Sequence, residues 1–115
     1  MSFRASHRFA RISPRKVRPL ADLVRGKFVD EALDILRYQP HRGARLLEKV
    51  IRSAAANAQD PDQNPGKIVS EKDLFIAEAC VDGGPMFKRL RPRARGMAFI
   101  NKKRMSHIRV TVEEL

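Results

Sequence analysis

The sequence predicts an α+β protein: a basic strand, then three helices, then a long closing hairpin. Three observations carry that expectation. Phe3, Ala5, His7 and Phe9 alternate with Arg4, Ser6 and Arg8 at the start of the chain, the period-two pattern of a strand with one basic face. Apolar residues between Val17 and Ala58 fall into three blocks at helical spacing. Two extended runs then flank Pro92-Arg93-Ala94-Arg95-Gly96, and the second closes with Ile108, Val110 and Val112 alternating against His107, Arg109 and Thr111.

The elements follow in order. Ser13-Pro14 opens the first helix, with Ser as cap and Pro at a position whose N–H has no helical partner. Val17, Leu20, Ala21 and Val24 form its apolar stripe, and Gly26 within Arg25-Gly26-Lys27 ends it. Pro19 inside it removes a backbone donor and predicts a kink or a loosened first turn. A second helix is expected from Asp30, as cap, to Tyr38, with Ala32, Ile35 and Leu36 inward and Pro40 barring continuation. The third carries Ala44, Leu47, Val50, Ile51, Ala54, Ala55 and Ala58 on one stripe, with Arg45, Glu48, Lys49 and Arg52 outside. Glu48 and Arg52 read as a surface i,i+4 pair.

Asp60-Pro61-Asp62-Gln63-Asn64-Pro65-Gly66 reads as a loop. From Asp73 to Asp82 a strand is expected, with Phe75, Ala77, Ala79 and Val81 on one face and Ile76, Glu78 and Cys80 on the other. Gly83-Gly84-Pro85 should interrupt or bend it. Cys80 is then expected to be a small core residue.

At 115 residues with 43% hydrophobic side chains the chain suits one folded domain, 1–115. No run approaches the roughly 20 apolar residues of a bilayer span. The basic start, with Arg4 and Arg8, leads us to expect no secretory signal and no membrane association. A single cysteine excludes an internal disulfide and a Cys-rich zinc module. His7, His41, His107 and Cys80 are scattered, without the spacing of a metal or nucleophile site, so no catalytic residue, metal or cofactor is expected.

Charge is the stronger signal. There are 24 Lys and Arg against 13 Asp and Glu, a net +11, and a foldable chain with that excess points to a polyanionic partner. The excess sits at the two ends. Residues 1–29 hold eight basic side chains (Arg4, Arg8, Arg11, Arg15, Lys16, Arg18, Arg25, Lys27) against Asp22 alone. No Asp or Glu occurs from Gly83 to Val112, while Lys88, Arg89, Arg91, Arg93, Arg95, Lys102, Lys103, Arg104 and Arg109 lie there. An ordinary solvated face mixes both signs.

That distribution forces the hairpin outward. Arms of eight residues span about 27 Å at ~3.4 Å per residue, against a radius of gyration of about 13 Å for a compact chain of this length. Buried in the globule, their cations would have no acid of their own, at several kcal/mol each. A two-stranded ribbon alone is marginal in water, so residues 83–107 are expected to protrude and to need surrounding negative charge, as packed RNA provides. Met86, Phe87, Leu90, Met97, Phe99 and Ile100 are also many apolar residues for such an arm. Phe87 and Phe99 either stack on unpaired bases or pair across the ribbon and stiffen it.

The segments "RISPRKVRPLADLVRGK" (11–27), "ALDILRY" (32–38), "SAAANA" (53–58), "VDGGPMFKRLRPRARG" (81–96) and "KKRMSHIRV" (102–110) together resemble the bacterial large-subunit ribosomal protein twenty-two family, in order and over essentially the whole chain. The resemblance implies three helices packed on a small three-stranded antiparallel sheet, with a long protruding basic β-hairpin. It implies a constituent of the cytoplasmic ribosome that binds large-subunit (23S-type) ribosomal RNA and aids early subunit assembly. Its hairpin would line the nascent-peptide exit tunnel, meeting the nascent polypeptide and, among neighbouring ribosomal proteins, ribosomal protein four at the constriction. Leu90, Arg91, Pro92, Arg93, Ala94, Arg95 and Gly96 would be the tunnel-lining tip. The stretch from Phe87 to Gly96 matches the one where family members acquire macrolide resistance. The chain departs from the family at Pro19, Met97, Phe99 and Met105, and Gly83 stands where the family usually carries a carboxylate.

Candidate RNA-binding residues are the eight cations of the N-terminal block, Ser13 at the helix start, the arm's Lys88, Arg89, Arg91, Arg93, Arg95, Lys102, Lys103 and Arg104, and His107. Shape and backbone readout are expected, because A-form helices hide their base edges. The rival is a DNA-architectural protein with a basic β-arm, which predicts an obligate dimer and a preference for duplex.

Overall fold

The computed structural model describes residues 2–60 and 69–114. Strand β1 (Ser2–Ala10) leads to helices α1 (Pro14–Val24), α2 (Val29–Arg37) and α3 (Arg42–Gln59). A 3-10 turn (Glu71–Asp73) then precedes strands β2 (Leu74–Pro92) and β3 (Ala98–Glu114). The strands form one antiparallel sheet in the order β1-β3-β2, and the fold is α+β as expected. The predicted loop over Asp60–Gly66 lies, beyond Asp60, outside the described residues.

The helical stripes bury as their spacing requires. Val17, Leu20, Ala21 and Val24 of α1 and Ala44, Leu47, Val50, Ile51, Ala54, Ala55 and Ala58 of α3 pack with Ile108, Val110 and Val112 of β3 in one core. Helix α1 runs as one element through Pro19, whose exposed position lets water take the carbonyl that the missing N–H would have bonded. Ser13 stands at the N-cap with extended backbone but makes no side-chain cap bond; Pro14 at the first turn has no N–H to give. Gly26, at φ +81°, ends the helix and turns the chain back along the sheet.

Helix α2 starts two residues earlier than Asp30 as cap would have set it. Phe28 is the cap, held extended by a bridge to Phe75, so that Val29 enters the core fully buried. Asp30 and Glu31 fall in the first turn and Arg37 in the last, the sense that suits the helix dipole.

Three one-residue bulges break the alternation that the strands were expected to keep. In β1, His7 pairs with Ile108 but Ala10 with Ser106. The extra residue leaves Phe9 at φ +59° and turns it out to solvent, while Ala10 takes the core position. In β2, Ile76 pairs with Val112 and Glu78 with Thr111, so Ala77 is inserted. The core side chains of β2 are therefore Leu74 and Ile76, then Ala79 and Val81, and not Phe75 and Ala77. The same parity puts Cys80 on the other face, half-buried, rather than in the core.

The third bulge lies between Gly83 and Met86 and is the bend expected at Gly83-Gly84-Pro85. A Cβ on Gly84 would stand 3.2 Å from the Met105 carbonyl carbon and oxygen, closer than ordinary van der Waals contact. Beyond it β2 and β3 continue as a two-stranded ribbon from Met86↔Arg104 to Pro92↔Ala98. Its turn is closed by the Arg93 N–H to the Met97 carbonyl (2.7 Å), with Arg95 and Gly96 in the left-handed region. The molecule measures 67 × 28 × 16 Å with a radius of gyration of 17.4 Å, against about 13 Å for a compact chain of this length.

Candidate nucleic-acid interface

Every residue from Met86 to Ile100 is exposed, and so are Lys102, Lys103 and Arg104. Residues paired across the ribbon share a face. Lys88 stands opposite Lys102, Phe87 opposite Lys103, Arg91 opposite Phe99, and Leu90 opposite Ile100. Phe87 and Phe99 therefore do not pair with each other; each faces a cation. The apolar cross-strand pairs are Leu90 with Ile100 and, beside the turn, Pro92 with Ala98. Directly opposed like charges destabilise a strand pair, and no carboxylate lies within the ribbon to offset Lys88 and Lys102. The Arg89 guanidinium sits over the Phe87 ring, 5.5 Å from its centroid, a cation–π contact on the surface.

The second basic segment meets the base of this ribbon. Ser13, Arg15 and Arg18 at the start of α1 line a recess of about 310 Å³ together with Gly83 and Arg104. Residues far apart in sequence thus present one basic surface at a helix start.

Not every predicted site cation is left for a partner. Arg18 Nε donates to the Val81 carbonyl at 3.1 Å. Arg25 pairs with Asp22 at 2.8 Å and also donates to the Ala79 carbonyl at 2.6 Å. Both guanidiniums tie α1 to the outer edge of β2, which carries no further strand among the described residues. His107 Nδ1 accepts the Phe9 N–H at 3.0 Å, and its ring meets Phe9 edge-on at 4.9 Å. Arg8 lies 5.7 Å over the Phe9 ring. Arg4, Arg11, Arg15, Lys16 and Lys27, together with Lys88, Arg91, Arg93, Arg95, Lys102, Lys103 and Arg104, are exposed.

Several charged residues hold positions that spacing alone did not reveal. Glu48 is buried, not outside, and its strong partner is Arg45 at 2.7 Å, with Arg52 at 4.0 Å. Arg45 also donates to the carbonyls of Leu36, Arg37 and Gln39 at the end of α2. Arg42 donates to the Arg11 carbonyl at 2.9 Å, which brings a cation from the net-acidic middle of the sequence into the basic surface. On the open face of the sheet the Cys80 thiol donates to Glu78 at 3.2 Å, and Arg109 stands 3.4 Å from the same oxygen. That hydrogen bond first, and the Arg109 charge second, hold the Glu78 carboxyl below the usual carboxylate range. Among the described residues no three His, Cys, Asp or Glu side chains gather as a metal site, and no helix is long and apolar enough to cross a membrane.

A basic ribbon on a small α+β body defines a class of protein that presents an extended cationic arm to a polyanion. Comparison with known proteins gives the family. Residues 5–113 match Ribosomal protein L22p/L17e. The chain is 68% identical to the large ribosomal subunit protein uL22 of Rhodopirellula baltica over 108 residues, covering 94% of this chain and 91% of that one. It is 51% identical to the same protein of Caldicellulosiruptor saccharolyticus, covering 96% and 86%, and 49% identical to that of a Thermoanaerobacter species, covering 99% and 98%. The chain belongs to the Ribosomal protein L22p/L17e family, a family of ribosomal proteins and not of enzymes.

Proposed function

We propose that the chain is a structural constituent of the large subunit of the cytoplasmic ribosome that binds 23S-type RNA. The whole chain acts as one unit, and residues 83–107 form an arm that threads the folded RNA and lines the nascent-peptide exit tunnel. One observation carries the reading: a fully exposed ribbon whose cations, Lys88 opposite Lys102 among them, have no carboxylate among them. Phosphates around such a ribbon remove its self-repulsion and release counterions, so affinity falls steeply with salt. The tip, Leu90 to Gly96, reaches the tunnel wall near ribosomal protein four and the nascent chain, while Arg15, Lys16 and the recess at the start of α1 hold phosphates at the base. The same multi-point contact with RNA supports a role in early assembly.

The test replaces Lys88, Arg89, Arg93 and Arg95 by Ala together. Loss of the variant from large-subunit fractions of a sucrose gradient is expected; normal occupancy overturns the reading. A gel shift with structured large-subunit RNA and with duplex DNA separates it from the DNA-architectural alternative, the RNA being bound preferentially.

A further inference from the structure

Between the base of the ribbon and the helical layer lies a cleft of about 1150 Å³. It is amphipathic in a particular way. Ile12 and Leu20, half-buried and buried, line it at depth, and the exposed apolar side chains of Leu23 from α1 and Phe87 from β2 line it as well. Lys16, Arg42, Lys103 and Arg104 are exposed cations around it, and among the described residues no Asp or Glu lines it. The Arg89–Phe87 contact is part of the lining.

We propose that this cleft seats an unpaired nucleotide of RNA, its base laid on the apolar lining against Phe87 and its phosphates on the surrounding cations. The inference rests on the RNA-binding reading above and narrows it to one kind of contact. A paired A-form helix keeps its base faces stacked and offers the cleft phosphate, ribose and minor-groove base edges but no face to stack on, which leaves Leu23 and Phe87 in water. A splayed nucleotide satisfies both halves of the lining at once, since every base has an apolar face and stacks on aromatic and guanidinium planes without sequence preference. The volume exceeds what one nucleotide needs and lies just above the roughly 300–1,000 Å³ of ordinary small-molecule sites, so the flanking backbone enters with it. An acidic peptide also complements the charge, but its carboxylates have no aromatic face to lay against Phe87 and Arg89.

The experiment binds the full chain to large-subunit RNA carrying 4-thiouridine, irradiates the complex, and maps the crosslinked peptides and nucleotides. Crosslinks from the peptides containing Leu23 and Phe87 to nucleotides that are unpaired in the RNA are expected. The Leu23→Ser, Phe87→Ser double variant, altered only at exposed side chains, should lose those crosslinks at least tenfold. Its thermal midpoint and the slope of affinity against salt should stay unchanged, because no phosphate contact is removed. Crosslinks from these peptides only to paired nucleotides overturn the proposal, as does occupation of the cleft by a protein segment in assembled subunits. A chain that binds the RNA with a steep salt slope yet leaves the cleft uncrosslinked refutes the cleft alone. A chain that binds no RNA refutes the function as well.

Discussion

Removing the Arg45 guanidinium should cost this fold more than any other single surface-charge change. Arg45 is only half-buried, yet it holds the side chain of Glu48, which is 10% exposed, at 2.7 Å, and one of its nitrogens serves three carbonyls at the end of α2. Arg45→Met keeps the stem and removes the donors. A charge-assisted hydrogen bond is worth about 1.5–3 kcal/mol net. The α2 carbonyls can turn partly to water, so their loss adds little. The expected destabilisation is about 2–3 kcal/mol, and at about 4 °C per kcal/mol for a chain of this length the melting midpoint falls by about 8–12 °C. Circular-dichroism melts and urea titrations measure it. Because most of the loss is the buried Glu48 carboxylate left with only the longer Arg52 contact at 4.0 Å, adding Glu48→Leu should restore part of it, as replacing both members of a buried pair often does. A single variant within about 0.5 kcal/mol of the parent, or a double variant no better than the single, refutes this account of the pair.

Three further outcomes are expected. Gly84→Val drives a branched side chain toward the Met105 backbone, where even a Cβ would sit at 3.2 Å; a loss of about 1–3 kcal/mol and chemical-shift changes centred on Met105 and Ser106 should follow, checked by urea titration and NMR. The Glu78 carboxyl is held below its ordinary range, so its ionised form favours the fold. That contribution is complete above the ordinary carboxylate range and disappears as pH falls through the depressed value. Glu78→Gln should therefore melt below the parent at pH 7 and match it in strong acid, as pH-dependent melts will read. Finally, Lys88→Ala should weaken RNA binding and lower the magnitude of the log–log salt slope by about 0.7–0.9, one phosphate's worth, measured by filter binding across a salt series.

Much of the architecture was readable because burial and periodicity agree. The stripes of α1 and α3 and the closing strand Ile108, Val110, Val112 are placed where the pattern put them, and the ribbon's composition announced an element with no place in a core. The errors share one cause. A bulge adds a single residue and flips every side chain after it, and nothing near Phe9 or Ala77 signals one. The Ala77 bulge stands beside a contact made elsewhere in the chain: Ile76 exchanges backbone hydrogen bonds with Gly26 and Lys27 at 2.9 and 2.8 Å, fixing one register while β3 fixes another. Only Gly83-Gly84 carried a local hint. Glu48 was misjudged for a related reason, and the partners of Arg45 and Arg42 went unseen, since a charged residue on a helix looks solvated until its neighbours in space are known. Arg18 and Arg25 belong to the same class, cations whose charge was visible and whose carbonyl partners were not.

Hydrogen exchange along the ribbon reaches the central claim most directly. Amides from Met86 to Arg104 should exchange fast in the free chain at low salt, while those of Ile108, Val110 and Val112 remain protected, and the ribbon amides should become protected when large-subunit RNA is added. Ribbon amides as slow as those of the core in the free chain, and unchanged by the RNA, would contradict it.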